Sequence, residues 1–294
     1  MLLIKELEIG RLGSKNKNKN SVCSVVPYKK ILDRSFRKFY INFHMSKIFI
    51  IGGGEISKFE TLTFDKRIVE LTGKKRPEAL FVPTASSDSA GYIEAFNKVY
   101  GEKLGCKTDA LLLLNRKPSK KELKEKIFSS DLIYVGGGNT LKMMKRWRFL
   151  GVDRILKEAY KKGIVLSGIS AGGICWFDAG CSDSKSFYNP NKWSYIKVKG
   201  LGLLKGIHCP HFDEETKGIE RKKGFLNLMK KQSAIGIALD NHCAIEFVDG
   251  KYKVLSSEKG RKAFRVFKRG KKVIVEGIPK KKDYSPIPQL YKIS

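Results

Sequence analysis

Short apolar runs alternate with amphipathic stretches along most of the chain. Ile48-Phe49-Ile50-Ile51, Ala79-Leu80-Phe81-Val82, Leu111 to Leu114, Leu132-Ile133-Tyr134-Val135 and Ile164-Val165-Leu166 each end near Gly, Pro, Asn or Ser. That is the length and punctuation of buried strands. Tyr92 to Leu104, Lys120 to Phe128 and Leu141 to Tyr160 lie between them with the spacing of surface helices. The alternation predicts an α/β fold, a mostly parallel sheet with helices on both faces whose ligands bind at the carboxyl ends of the strands. After Ile235 the runs Ile235 to Leu239, Ala244 to Val248, Tyr252 to Leu255, Phe264 to Phe267 and Val273 to Val275 are interrupted by Asp249-Gly250 and Arg269-Gly270. These predict C-terminal antiparallel hairpins at the edge of the same sheet, with no second core.

Residues 1–44 break the pattern. They carry the run Lys15-Asn16-Lys17-Asn18-Lys19-Asn20 and ten Lys/Arg against three acids. Such composition predicts a basic, disordered or non-native extension, dispensable because it offers few apolar positions to bury. The catalytic domain is expected over 45–280 and a C-terminal tail over 281–294.

In the whole chain of 294 residues, 59 Lys+Arg against 29 Asp+Glu give +30, a charge that attracts nucleic acid or anionic membranes. The cations are mostly Lys and run from end to end without an Arg-rich or aromatic-interleaved stripe, so nucleic-acid binding is not expected. A basic nucleic-acid- or anion-binding protein that keeps the fold without a catalytic activity is the alternative reading. No apolar run spans a bilayer and the start MLLIKELEIG is charged too early for a signal peptide, so a cytoplasmic protein without a membrane partner is expected. The six cysteines contain no CxxC pair, which argues against a zinc ribbon or a disulfide framework.

The sharpest motif is Gly168-Ile169-Ser170-Ala171-Gly172, directly after the run Ile164 to Ser167. G-x-S-x-G between strand and helix is a nucleophile elbow, in which small neighbours permit a strained turn that presents a hydroxyl at a helix N-terminus. A serine needs a base. His211, after Pro210 in His208-Cys209-Pro210-His211, is the expected base, with His208 in reserve. A metal site from His208, Cys209 and His211 has no established ligand spacing, and no cofactor is expected. The group that orients the imidazole is expected to be Asp240, after the run Ile235 to Leu239, or Asp183; a strand end holds a group more rigidly, which favours Asp240. The glycines of Val135-Gly136-Gly137-Gly138-Asn139-Thr140 offer backbone N–H groups, so an oxyanion hole is expected from Gly137 and Gly138 with the N–H of Ala171. Neither this cluster nor Gly52-Gly53-Gly54 matches a dinucleotide fingerprint or a Walker motif.

Together with Ile51-Gly52-Gly53-Gly54-Glu55, Val82-Pro83-Thr84-Ala85-Ser86 and Cys209-Pro210-His211-Phe212, these motifs make the stretch from Met45 to about Ile278 resemble the S51 serine peptidases. This is the dipeptidase E and cyanophycinase group, and the likeness is strongest to its bacterial peptidase E-like branch. The resemblance implies a flavodoxin-like three-layer sandwich of the class I glutamine amidotransferase type, with Ser170 as nucleophile in the place of the amidotransferase cysteine and His211 as base. It also implies a glycine of Gly136 to Gly138 in the oxyanion hole, and an acid at Asp183 or at Asp240-Asn241. Dipeptidase E prefers an N-terminal aspartate and cyanophycinase cleaves β-aspartyl-arginine; no residue here marks either pocket. A compact cleft suits a small peptide substrate entering by its free amino end, with an acidic first residue drawn by the lysines. A monomer or homodimer is expected.

Overall fold

The computed structural model describes residues 47–114 and 116–293, and the expectations for 1–44 lie outside them. Five strands run parallel in the order β1-β5-β4-β2-β3: β1 (Lys47–Ile51), β2 (Glu78–Val82), β3 (Lys107–Ala110), β4 (Leu132–Val135) and β5 (Val165–Ile169). β1, β2 and β4 are almost wholly apolar, and β5, Val-Leu-Ser-Gly-Ile, is buried throughout, because both faces are covered. Ile48, Ile50, Leu80, Val82, Ile133, Val135 and Leu166 point to one side, onto α3 (Lys120–Phe128), α4 (Thr140–Leu150) and α5 (Val152–Lys161). Phe49, Ile51, Ala79, Phe81, Leu132 and Tyr134 point to the other, onto α1 (Leu62–Leu71) and α2 (Ala90–Phe96). This is a flavodoxin-like sandwich.

The helices depart from the simplest reading at two places. The stretch Leu141 to Tyr160 is two helices, because Gly151 takes a left-handed φ of 75° that ends α4. The stretch Tyr92 to Leu104 starts as α2 and continues as a π-helix over Asn97–Lys103. Leu111 to Leu114 lie past the end of β3, where the Asp88 carboxylate accepts the N–H groups of Leu113 and Leu114.

The rest of the chain revises the expectation of one sheet. A four-residue helix α6 (Ala171–Ile174) leads into β6 (Phe177–Ser182), β7 (Ile196–Lys199) and β8 (Leu204–Cys209). Next come a small hairpin, β9 (Glu215–Thr216) with β10 (Ile219–Glu220), then α7 (Arg221–Met229) and β11 (Gly236–Leu239). The C-terminal strands are β12 (Cys243–Val248), β13 (Lys251–Ser256), β14 (Ala263–Arg269) and β15 (Lys272–Ile278). Only the β12–β13 hairpin joins the large sheet, antiparallel beside β1. The β14–β15 hairpin belongs to a six-stranded sheet of order β15-β14-β11-β8-β6-β7, whose β11, β8 and β6 are parallel. One face of that sheet shares the main core, through Phe177, Ile237, Leu239 and Ala263, while the other buries Cys181, Cys209 and Ala238 under Phe225 and Met229 of α7.

The expected tail is part of the domain. After Tyr284 the chain adds β16 (Ser285–Pro286) to β13 and a short helix α8 (Ile287–Tyr291), which buries Leu290 in the main core. The Tyr284 hydroxyl donates to buried Glu246 at 2.7 Å, and Arg67 reaches the same carboxylate at 2.9 Å. Among the described residues no helix is long and apolar enough to cross a membrane.

Candidate active site

Two ranks of parallel strand ends meet at one cleft. β1, β4 and β5 deliver Gly52-Gly53-Gly54, Gly136-Gly137-Gly138 and Ser170 from the large sheet, and β8 and β11 deliver His211 and Asn241 from the smaller one. Backbone hydrogen bonds tie the ranks together: His211 N–H donates to Gly52 O at 3.1 Å and His242 N–H to Gly53 O at 3.0 Å, while Ser170 N–H donates to Ile51 O at 3.3 Å within the large sheet.

Ser170 has φ 54° and ψ −113°, a conformation that costs a non-glycine residue of order 1–3 kcal/mol. Its surroundings enforce it. The turn brings residue 172 so close to β4 that a β-carbon there would stand 2.0 Å from Val135 O, which is why the motif ends in glycine. The Ser170 carbonyl accepts the N–H groups of Gly173 and Ile174 at 2.9 and 3.0 Å, so the strained residue also starts α6. Ala171 N–H and Gly138 N–H make no backbone hydrogen bond among the described residues, as an oxyanion site requires. The Gly137 backbone lies against the nucleophile, since a β-carbon there would be 3.4 Å from Ser170 Cβ; its N–H faces the Tyr92 hydroxyl at 3.4 Å.

His211 is another non-glycine residue with positive φ, at 51°. Its Nδ1 lies 2.6 Å from Asn241 Oδ1. The Asn241 amide is oriented by its Nδ2, which donates to Glu214 at 3.0 Å, and its backbone N–H donates to Asp213 at 2.8 Å. With Oδ1 as acceptor, Nδ1 carries the proton and Nε2 is left as the basic nitrogen. The pair fits only because residue 53 is glycine: a β-carbon there would fall 1.8 Å from Asn241 Oδ1. His211 keeps part of its surface open to the cleft, but protein encloses the ring on most sides. That enclosure, with Arg221 nearby, pushes its pKa down to about 4. No hydrogen bond joins Ser170 Oγ to His211 among the described residues; the two side chains share the cleft. Such contacts often tighten only when substrate binds.

Both aspartates expected beside the imidazole are engaged elsewhere. The Asp240 carboxylate accepts Lys262 N–H at 2.9 Å, and burial raises its pKa to about 6. Asp183 follows β6 and pairs with the buried guanidinium of Arg221 at 2.8 Å. The partner of His211 is instead Asn241, one residue beyond Asp240. His208 is no reserve base, because its fully buried ring stacks 5.0 Å from Phe177 and its Nδ1 donates to Ile237 O at 2.9 Å.

The cleft encloses about 460 Å³ and is lined by Ser170, His211, Gly137, Gly138, Tyr92 and Glu55 among others. Among the described residues Glu55 is its only charged side chain, fixed by the Ser57 hydroxyl at 2.9 Å, and neither Lys nor Arg lines it. Neither Tyr92 nor Glu55 is singled out as a site residue by the sequence: Glu55 only closes the motif Ile51-Gly52-Gly53-Gly54-Glu55, and Tyr92 only opens a helical stretch. A larger cavity, of about 570 Å³ between Trp193 and Lys231, contains none of these groups, so volume alone does not pick out the chemistry.

The sequence pattern of peptidase family S51 matches residues 48–255. The chain is 37% identical over 225 residues to the uncharacterized peptidase YgaJ of Bacillus subtilis (strain 168), covering 76% of this chain and 92% of that protein. It is 33% identical over 96 residues to the uncharacterized peptidase Lmo0363 of Listeria monocytogenes, covering 32% of this chain and 45% of that one. In three dimensions it is similar to the crystal structure of a peptidase from an acI-B1 Actinobacterium, with a TM-score of 0.62 and 20% identity over 83% of this chain and 98% of the other.

Proposed function

The chain belongs to peptidase family S51, and from that premise we propose that it is a serine-type exopeptidase or dipeptidase that hydrolyses short peptides through an acyl-enzyme on Ser170. The observation that carries this reading is a strained Ser170 opening into the same small cleft as His211. His211 Nε2 takes the proton of Ser170 Oγ as the oxygen attacks the peptide carbonyl carbon. Charge builds on the carbonyl oxygen beside the free N–H groups of Gly138 and Ala171. The imidazolium returns the proton to the departing amine, and water repeats the cycle on the ester. The test is a fluorophosphonate probe with a dipeptide library: the reading requires probe mass on Ser170 and turnover of small peptides. Hydrolysis that is removed by a chelator, or confined to large folded proteins, overturns it.

Asn241 takes the orienting role in this reading, as a neutral amide that fixes the tautomer without adding charge. Asn241→Ala is expected to lower kcat by about 10- to 100-fold, while Asp240→Asn stays within about threefold. Asn241→Asp places a carboxylate against the imidazole, which favours the cation and moves the acid limb of kcat/KM upward from about pH 4. A larger loss in Asp240→Asn than in Asn241→Ala would reverse the assignment.

Glu55 supports entry by the free amino end. Among the described residues no Lys or Arg lines the cleft, so an acidic first residue finds no partner from them there, whereas an α-ammonium finds a carboxylate. Glu55→Gln is expected to raise KM for free dipeptides about three- to tenfold and to leave KM for N-acetylated ones unchanged, as steady-state kinetics on matched pairs will show.

A further inference from the structure

We propose that the Tyr92 hydroxyl is a catalytic hydrogen-bond donor to the oxyanion, acting beside the backbone amides. The inference rests on the Ser170 acyl-enzyme reading and adds a side-chain group to it.

Three observations converge on this residue. Tyr92 lines the cleft together with Ser170, Gly137, Gly138 and His211. Its oxygen is the partner of Gly137 N–H at 3.4 Å, so the phenol stands beside one of the amides expected to receive the oxyanion. That amide belongs to a stretch of backbone that borders the nucleophile, since a β-carbon on residue 137 would stand 3.9 Å from Ser170 Oγ. A group placed there either donates to the developing charge or blocks it. A phenol donates: it accepts the Gly137 N–H and the buried Tyr134 hydroxyl, which leaves its own proton to turn to the new charge, and burial pushes its pKa up, so it stays protonated through neutral pH.

The ring is also held in place. It packs edge-on against Phe81 with centroids 4.9 Å apart, and it sits in the first turn of α2, whose N-cap Ser89 accepts Tyr92 N–H. A donor fixed before the reaction needs no reorganisation as charge appears. In the acylation step the bond from Ser170 Oγ to the carbonyl carbon forms, the carbonyl π pair moves onto oxygen, and the Oγ proton passes to His211 Nε2. Tyr92 keeps its proton and shares it with the new alkoxide.

Tyr92→Phe retains the ring and removes only the hydroxyl. Measured on the full chain with a free dipeptide, and per active site counted by fluorophosphonate labelling, kcat is expected to fall about 10²-fold with KM within about threefold. Affinity for a peptide aldehyde, which forms a tetrahedral adduct on the serine, is expected to weaken by a similar factor, and the acid limb of the pH profile to stay in place. Unchanged kcat, a loss carried wholly by KM, or aldehyde affinity equal to the parent's overturns the role of Tyr92. Ser170→Ala assayed in parallel separates the two levels. If it retains full activity, the acyl-enzyme reading fails and the Tyr92 role with it; if it is inactive while Tyr92→Phe is normal, only the Tyr92 role fails.

Discussion

Ser170→Ala is expected to lower kcat by about 10³-fold or more and to abolish fluorophosphonate labelling, with the fold intact. The size of the loss follows from the role: without Oγ there is no acyl-enzyme, and only the free amides and bound substrate remain to help water attack. The backbone adds a second expectation that a merely structural serine does not share. Residue 170 holds φ 54° because Gly172 is pressed against β4 and the residue-170 carbonyl starts α6. Alanine keeps that strain, but glycine relieves it. Ser170→Gly is therefore expected to be as inactive as Ser170→Ala and more stable by about 1 kcal/mol in denaturant unfolding, since left-handed backbone costs glycine little. An active Ser170→Ala variant would rule out the nucleophile, and a glycine variant less stable than alanine would rule out strain at the elbow.

How far such expectations could be read from the chain alone differs between the two sheets. β1, β2, β4 and β5 are legible because helices cover both their faces, which demands apolar runs. Ser170 was legible with them, since its motif reports the crowding at Val135 directly. β6, Phe-Asp-Ala-Gly-Cys-Ser, alternates only weakly, with small residues in place of bulky apolar ones, and β8, Leu-Lys-Gly-Ile-His-Cys, shows neither alternation nor an apolar run, so a second sheet was not visible. That hidden sheet explains why the orienting group was ambiguous. β8 lies between β6 and β11, so Asp183 and Asp240-Asn241 flank His211 from the two neighbouring strand ends. Only side-chain geometry separates them. Arg221 claims Asp183, the Lys262 amide claims Asp240, and Asn241 reaches the ring. The C-terminal segment was misread for a related reason, because a two-residue strand and one buried leucine leave no periodic trace.

His211→Ala is expected to lower kcat by about 10³-fold, and its pH dependence makes the test specific. A general base works only when neutral. Enclosure of the ring, with Arg221 nearby, pushes the pKa down to about 4, so kcat/KM of the parent is expected to rise between about pH 3 and 5 and then stay level through neutrality. An exposed histidine would instead show its limb near 6.5. The same depression carries a stability signature. Below about pH 6.5 the unfolded chain protonates this histidine while the native state does not, so the contribution is complete above 6.5 and is lost as pH falls towards 4. Buried His208, pushed down to about 3, acts in the same direction, whereas buried Asp65, pushed up to about 7, acts in the opposite one and loses its contribution as pH rises. Those two groups are common to parent and variant, so the difference between their Tm values isolates His211. Between pH 6.5 and 4 the parent is expected to lose more Tm than His211→Ala. Parallel Tm curves, or an acid limb of kcat/KM near 6.5, would mean that the imidazole is solvated and not held neutral by the fold.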